Sequence, residues 1–220
     1  MAPADPEQQN WKPSIERFLG FVIDRNCTHE IIEPGDSDDC PPKKTRPFMP
    51  LDQIQYYFGA HNYSELRGVL AALFSPDDLI PPRDIYPKYI AVFCTLLCIG
   101  KGSYIKHFKH HESLSDTSLP FDPASPPAHW PSSARDSSFL HEFCQAQWKF
   151  CARVWEDLSD KHYDSEQILP IVSKTRLSGG GSANIWRVKI HPFYNKLISE
   201  DDKLVSLSFL LFDIYMGCHD

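Results

Sequence analysis

The first run of spaced apolar residues is Trp11, Ile15, Phe18, Leu19 and Val22. Its i, i+3/i+4, i+7 spacing predicts an amphipathic helix over residues 11–23, with Pro13 tolerated in the first turn and Gly20 weakening it. Residues 33–50 are rich in proline, lack periodicity and read as a loop or linker. Leu51, Ile54, Tyr57 and Phe58 mark a short helix. Asn62 is placed to cap a second, with Leu66, Val69, Leu70 and Leu73 along one stripe. After two proline breaks, residues 85–99 run almost wholly apolar and stop at Gly100, as a buried central helix would. That run is shorter than the roughly 20 residues a membrane span needs. Ser103 is placed to cap a further helix carrying Tyr104, Ile105 and Phe108.

Leu119-Pro120-Phe121 reads as an extended segment, residues 122–138 as a Pro/Ser loop, and residues 139–146 as a helical turn or two. Residues 147–154 then alternate, with Trp148, Phe150, Ala152 and Val154 on one face, which favours a strand. Phe139, Phe143, Phe150 and Val154 also suit one long helix, the alternative reading. The fold class expected is α+β and mainly α. Its helical N-terminal domain could be winged-helix-like, with residues 119–121 and 148–154 as the wing. No internal repeat points to a solenoid.

Composition narrows the function classes. With 42% hydrophobic and 13% aromatic residues among 220, a core is expected, and the 19 prolines cluster into stiff connectors. The net charge of −7 weighs against a nucleic-acid-binding face, since the dense basic runs are confined to Lys43–Arg46 and Lys101–Lys109. The N-terminus has neither the basic nor the apolar region of a secretory signal, so an intracellular location, no membrane partner and reduced thiols are expected. Cys94 and Cys98 share a helix face but lack a CxxC and further ligands, so no zinc is expected. His107 and His111 have i, i+4 spacing without a third ligand and read as a solvated helix face. Asp36, Asp38 and Asp39 lack the glycine and terminal Glu of an EF-hand loop.

The segment with chemistry in it is residues 168–191. A β-branched run to Leu177 leads into Ser178-Gly179-Gly180-Gly181-Ser182-Ala183-Asn184, and a second alternating strand follows from Ile185. Ile185, Arg187 and Lys189 are expected on one face of it, Trp186, Val188 and Ile190 on the other. Three consecutive glycines let backbone N–H groups turn toward an anion, because no Cβ blocks close approach. The loop is not a P-loop, as GxxxxGK[ST] is absent. Gly-rich hairpins also occur without any ligand.

Taken whole, residues 168–190 resemble the start of a protein-kinase small lobe: first strand, Gly-rich loop, second strand. More closely, the chain resembles a group of fungal Ser/Thr kinase-like proteins. In these a helical region with LPF and QWxF segments precedes an ILPI…GGG…V(Y/W)xVxIH kinase opening. Here those segments are Leu119-Pro120-Phe121, Gln147-Trp148-Lys149-Phe150 and residues 168–191. The resemblance implies an ATP site, with Mg²⁺ only if ATP is bound. It assigns Leu177 to the position covering adenine, Gly179, Gly180, Gly181 and Ser182 to the phosphates, and Ile185 to the valine position after the loop. Ser178 and Ala183 replace the first and third glycines of the kinase pattern.

Kinase chemistry also needs a third-strand Lys, a catalytic-loop Asp and Asn, and a metal-binding Asp in DFG. The residues after Ile190 contain no VAxK, HRD or DFG. The expectation is therefore a truncated, catalytically inactive kinase-like chain with no catalytic residues assigned. The alternative is a non-catalytic interaction module contacting a protein partner. The expected organisation is a flexible segment over 1–50 with one helix and a Pro-rich linker, a helical domain over 51–157, the kinase-like start over 166–198, and an atypical tail over 199–220. The tail turns abruptly apolar from Leu204, which reads either as a core element or as translated intron beginning near Val205.

Overall fold

The computed structural model of the chain describes residues 13–27, 30–32, 47–131, 138–152, 154–155, 168–180, 183–197 and 208–214. For residues 30–32, 173–180, 183–186 and 208–214 it describes the backbone alone. The architecture is α+β and mainly helical. The chain forms two compact units, residues 1–26 with 49–151 and residues 27–48 with 152–220.

The first unit is a helical body. Helix α1 (Pro13–Asp24) buries Ile15, Phe18 and Val22, the stripe its spacing predicts. It packs on α2 (Leu51–Leu73), where Phe18 stacks on Phe58 at 5.2 Å and Phe21 on Tyr57 at 4.2 Å. Residues 13–24 thus belong to a core rather than to a flexible segment spanning 1–50. Helix α2 is two helices joined by a left-handed turn, with φ of 48°, 55° and 63° at His61, Asn62 and Tyr63. Asn62 therefore lies inside that turn, not at the extended position an N-cap takes.

The apolar run over 85–99 is shorter as a helix than expected. Residues Pro82–Ile85 form the short helix α3, and α4 begins only at Ile90, because Pro87 lacks an N–H and interrupts the ladder. Every residue of α4 (Ile90–Cys98) is buried except the half-buried Cys98, which agrees with its all-round apolar pattern. Gly100, at φ 71°, ends it: Lys101 N–H donates to the Leu96 carbonyl at 2.8 Å and Gly100 N–H to Leu97 at 3.1 Å. This is a Schellman closure. Its N-terminus is capped from elsewhere in the chain. The carboxylate of Asp116 accepts the N–H groups of Ala91 (3.0 Å) and Val92 (2.9 Å), while Asp116 N–H donates to the Lys88 carbonyl at 3.0 Å.

Ser103 does not cap a helix. It is exposed within a 3₁₀ turn, Gly102–Tyr104, that runs into α5 (Ile105–Phe108). Helix α6 (Phe139–Gln147) buries Phe139, Phe143, Cys144 and Gln147.

The expected strand over 147–154 does not form. Gln147 is the last residue of α6, residues 148–150 turn, and no described residue of 119–121 or 148–154 belongs to a strand. The helical spacing of Phe139, Phe143 and Gln147 outweighs the alternation, because Gln147 is fully buried with its amide bonded. The described residues of these two segments therefore form no wing.

The second unit holds a four-stranded sheet in the order β1-β2-β3-β4. Strand β1 (Glu30–Ile32) runs parallel to β2 (Ile171–Gly180), which is antiparallel to β3 (Ala183–Ile190), itself antiparallel to β4 (Ser208–Ile214). Neither edge strand stood out as a strand in sequence: β1 is three residues long, and the apolar tail was open to several readings. On β3, Val188 and Ile190 are buried while Arg187 and Lys189 are exposed, the alternation predicted. Also in this unit, Trp155 N–H donates to the Tyr194 carbonyl at 2.7 Å and Lys196 N–H to the Trp155 carbonyl at 2.8 Å. Phe48 meets the Tyr194 ring edge-on at 6.0 Å. Among the described residues, no helix is long and apolar enough to cross a membrane.

Candidate functional site

The glycine hairpin is built by pairing that extends to its tip. Gly179 pairs with Asn184 and Gly180 with Ala183; Gly181 and Ser182, also expected at the phosphates, lie outside the described residues. Two register shifts interrupt β2. Arg176 pairs with Trp186 and Ser178 with Ile185, so Leu177 is the extra residue of a β-bulge; a second shift falls at Val172. Bulges bend a strand, raise its twist and re-aim the local backbone. Ile185 lies on a central strand, opposite Ser178 on one side and Phe212 on the other.

Of the residues expected to meet a nucleotide, the register brings Leu177, Gly179, Gly180 and Ile185 to the tip-proximal end of one hairpin. The Cβ-free backbone of Gly179 and Gly180 fits the approach of an anion. Strand β4 brings no cation to balance a polyphosphate. Its only ionisable residue is Asp213, which pairs in register with Asn184. Among the described residues, strand β4 therefore places no Lys beside the hairpin.

In the first unit, the two other quoted segments meet through one side chain. Gln147 Oε1 accepts the Phe121 N–H at 2.7 Å, and Gln147 Nε2 donates to the Phe121 carbonyl at 2.8 Å and to Cys144 at 3.2 Å. Phe121 then stacks on Phe143 at 5.4 Å, under Trp130 at 5.7 Å. The result is a closed aromatic core, not an open site.

The basic run beside α5 is largely neutralised. Lys106 binds Asp78 at 2.6 Å, Lys109 binds Asp84 at 2.8 Å, and Lys88 pairs with Glu112. Among the described residues no group of three or more His, Cys, Asp or Glu is placed to hold a metal. Burial pushes the thiols up: Cys98 and Cys144 to about 11, Cys94 and Cys151 well above the usual range. Shifts in this direction favour the protonated thiol over the reactive thiolate at neutral pH.

Asp116 and His129 went unnoticed in the sequence, and Gln147 stood out only as the start of the QWxF segment. Each acts on a partner more than 20 residues away, in contacts that no local spacing encodes.

No family model, curated protein or solved structure matches the chain.

Proposed function

We propose that the second unit is the opening of a protein-kinase-like small lobe that lacks the groups for phosphoryl transfer in this chain. On this reading the hairpin makes a weak nucleotide contact, and ATP-dependent Ser/Thr phosphorylation belongs to the parent family. The observation carrying it is the register: Gly179 and Gly180 stand at the first turn of an antiparallel β2–β3–β4 meander, with Leu177 bulged just before them. The absence of a cation on β4 supports contact without catalysis, since transfer depends on a Lys and metal clamp on the phosphates. An intracellular setting goes with this reading.

The test is a thermal-shift titration of the full chain with Mg-ATP. A dose-dependent rise in Tm, lost in Gly180→Val, is the expected result. A flat response in the wild-type chain overturns the nucleotide reading.

A second reading, a non-catalytic helical module that contacts a protein partner, draws on the first unit. That unit has a full core of its own and presents Tyr56, 78% exposed, beside Tyr63 and Tyr86 on an open groove of about 430 Å³. Exposed tyrosines are frequent anchors for protein partners. A flat ATP titration combined with a partner lost on Tyr56→Ala would favour it.

A further inference from the structure

The loop over residues 122–131 is fastened to the region of α5 by histidines. His107 Nε2 donates to the His129 carbonyl at 2.7 Å, which fixes a proton on that nitrogen because a carbonyl only accepts. The His111 and His129 rings stack at 4.3 Å with planes 7° apart, and His107 lies 4.9 Å from His111. Ser113 Oγ adds a bond to the Ala128 carbonyl at 2.7 Å. His129 itself is held at φ 66°, in the left-handed region that few non-glycine residues adopt. The next residue, Trp130, lies over Phe108, Phe121, Phe139 and Phe143 with ring centroids 4.9–5.7 Å away.

The charges around this group come from every element against it. Lys106 and Lys109, on α5 and just after it, are matched by Asp78 and Asp84, and Lys88 by Glu112 on the following turn. Asp122, at the start of the loop, accepts the Ala124 N–H at 2.8 Å. Among the described residues none of His107, His110, His111 and His129 has a carboxylate within ion-pair distance. Desolvation, then the neighbouring His129, His107 and His110, hold His111 below the ordinary imidazole value of 6.5.

We propose that His107, His111 and His129 form a proton-sensitive clip that holds the 122–131 loop, and with it Trp130, over the aromatic core. Neutral rings stack face to face; two imidazolium rings at this separation repel. The His107 bond survives protonation, because both ring nitrogens then donate. Acid therefore loosens the stack first and leaves the loop on the His107 and Ser113 bonds, with His129 held in a strained conformation. Opening uncovers the apolar faces of Phe108 and Phe143.

The test follows the histidine ring protons and the tryptophan indole signals of the full chain by NMR between pH 7 and about 5, within the range where imidazoles titrate. His129→Asn keeps a residue tolerant of positive φ and removes the second ring. The wild-type chain is expected to show His111 titrating below 6.5 and the Trp130 indole signal moving with the same midpoint. In His129→Asn, His111 moves up toward 6.5 and the Trp130 signal stops responding to pH. His111→Gln gives the same flat Trp130 response if the first variant fails to fold. A Trp130 signal that does not move in the wild-type chain, or that moves unchanged in the folded variants, overturns the proposal.

Discussion

Gln147 holds the backbone of Phe121 on both sides, accepting its N–H at 2.7 Å and donating to its carbonyl at 2.8 Å. A side-chain amide thus stands where a neighbouring strand would. All three groups are buried, so no water replaces a lost bond. Gln147→Leu preserves volume but leaves both Phe121 backbone groups unpaired. It is expected to cost about 2–6 kcal/mol, at roughly 1–3 per buried unsatisfied group. Urea unfolding of the two proteins measures this, and a loss under about 0.5 kcal/mol would show that Gln147 is not the support described.

Two glycines respond in opposite directions to the same change. Gly20 lies within α1 with nothing within 4 Å of where a Cβ would stand. Gly20→Ala is expected to stabilise by about 0.5–1 kcal/mol, through helix propensity and a less free unfolded chain. Gly100 is also open to a Cβ, but its φ of 71° is left-handed. Gly100→Ala is expected to destabilise by about 1–2 kcal/mol. Opposite shifts in Tm would separate backbone conformation from steric space as the cause.

Asp116 gives the pH dependence a sign. Burial raises its carboxyl from 3.8 to about 6, against the bonds from Val92, Ala91 and Ile90 N–H, which pull the other way. Below 3.8 both folded and unfolded states hold the proton, and the group has no effect. From 3.8 to about 6 the folded state holds a proton that the unfolded state has released, so stability falls as pH rises. Above that the loss is constant, about 3 kcal/mol for a shift of this size. In Asp116→Asn this component disappears, so the stability difference between the two proteins should change across the pH 4–6 window and be flat above it. A pH-independent difference would mean the carboxyl titrates normally.

The buried thiols make a fourth expectation. At pH 8 in native buffer, Cys94, Cys98, Cys144 and Cys151 should react with a disulfide reagent far more slowly than after denaturation, because only the thiolate attacks. Mass mapping of the labelled cysteines identifies them. Rapid native labelling of any of the four would show that the segment carrying it opens readily.

Much of the helical body was legible in sequence. The stripe Ile15, Phe18, Val22, the second α2 stripe from Leu66, and the stop at Gly100 each rest on local rules of spacing and φ. The hairpin was legible for the same reason: three glycines between alternating strands admit few conformations, and β3 alternates as its residues require. Leu177 as a bulge was not legible, because register is decided between strands and not within one.

Sequence alone therefore determined where chain segments become helix or hairpin, since those outcomes depend on residues three or four apart, or on glycine at a turn. Tertiary structure decided the rest. Residues 147–154 alternate as a strand would, yet Gln147 ends a helix because its amide has a buried backbone to bond at Phe121. Within the apolar tail, Ser208–Ile214 becomes a strand because β3 offers an edge to pair with. The start of α4 is capped by Asp116, 25 residues from Ala91. His129 reaches His107 and His111 across a proline-rich loop. Each of these depends on a partner distant in sequence, and such contacts have no period to read.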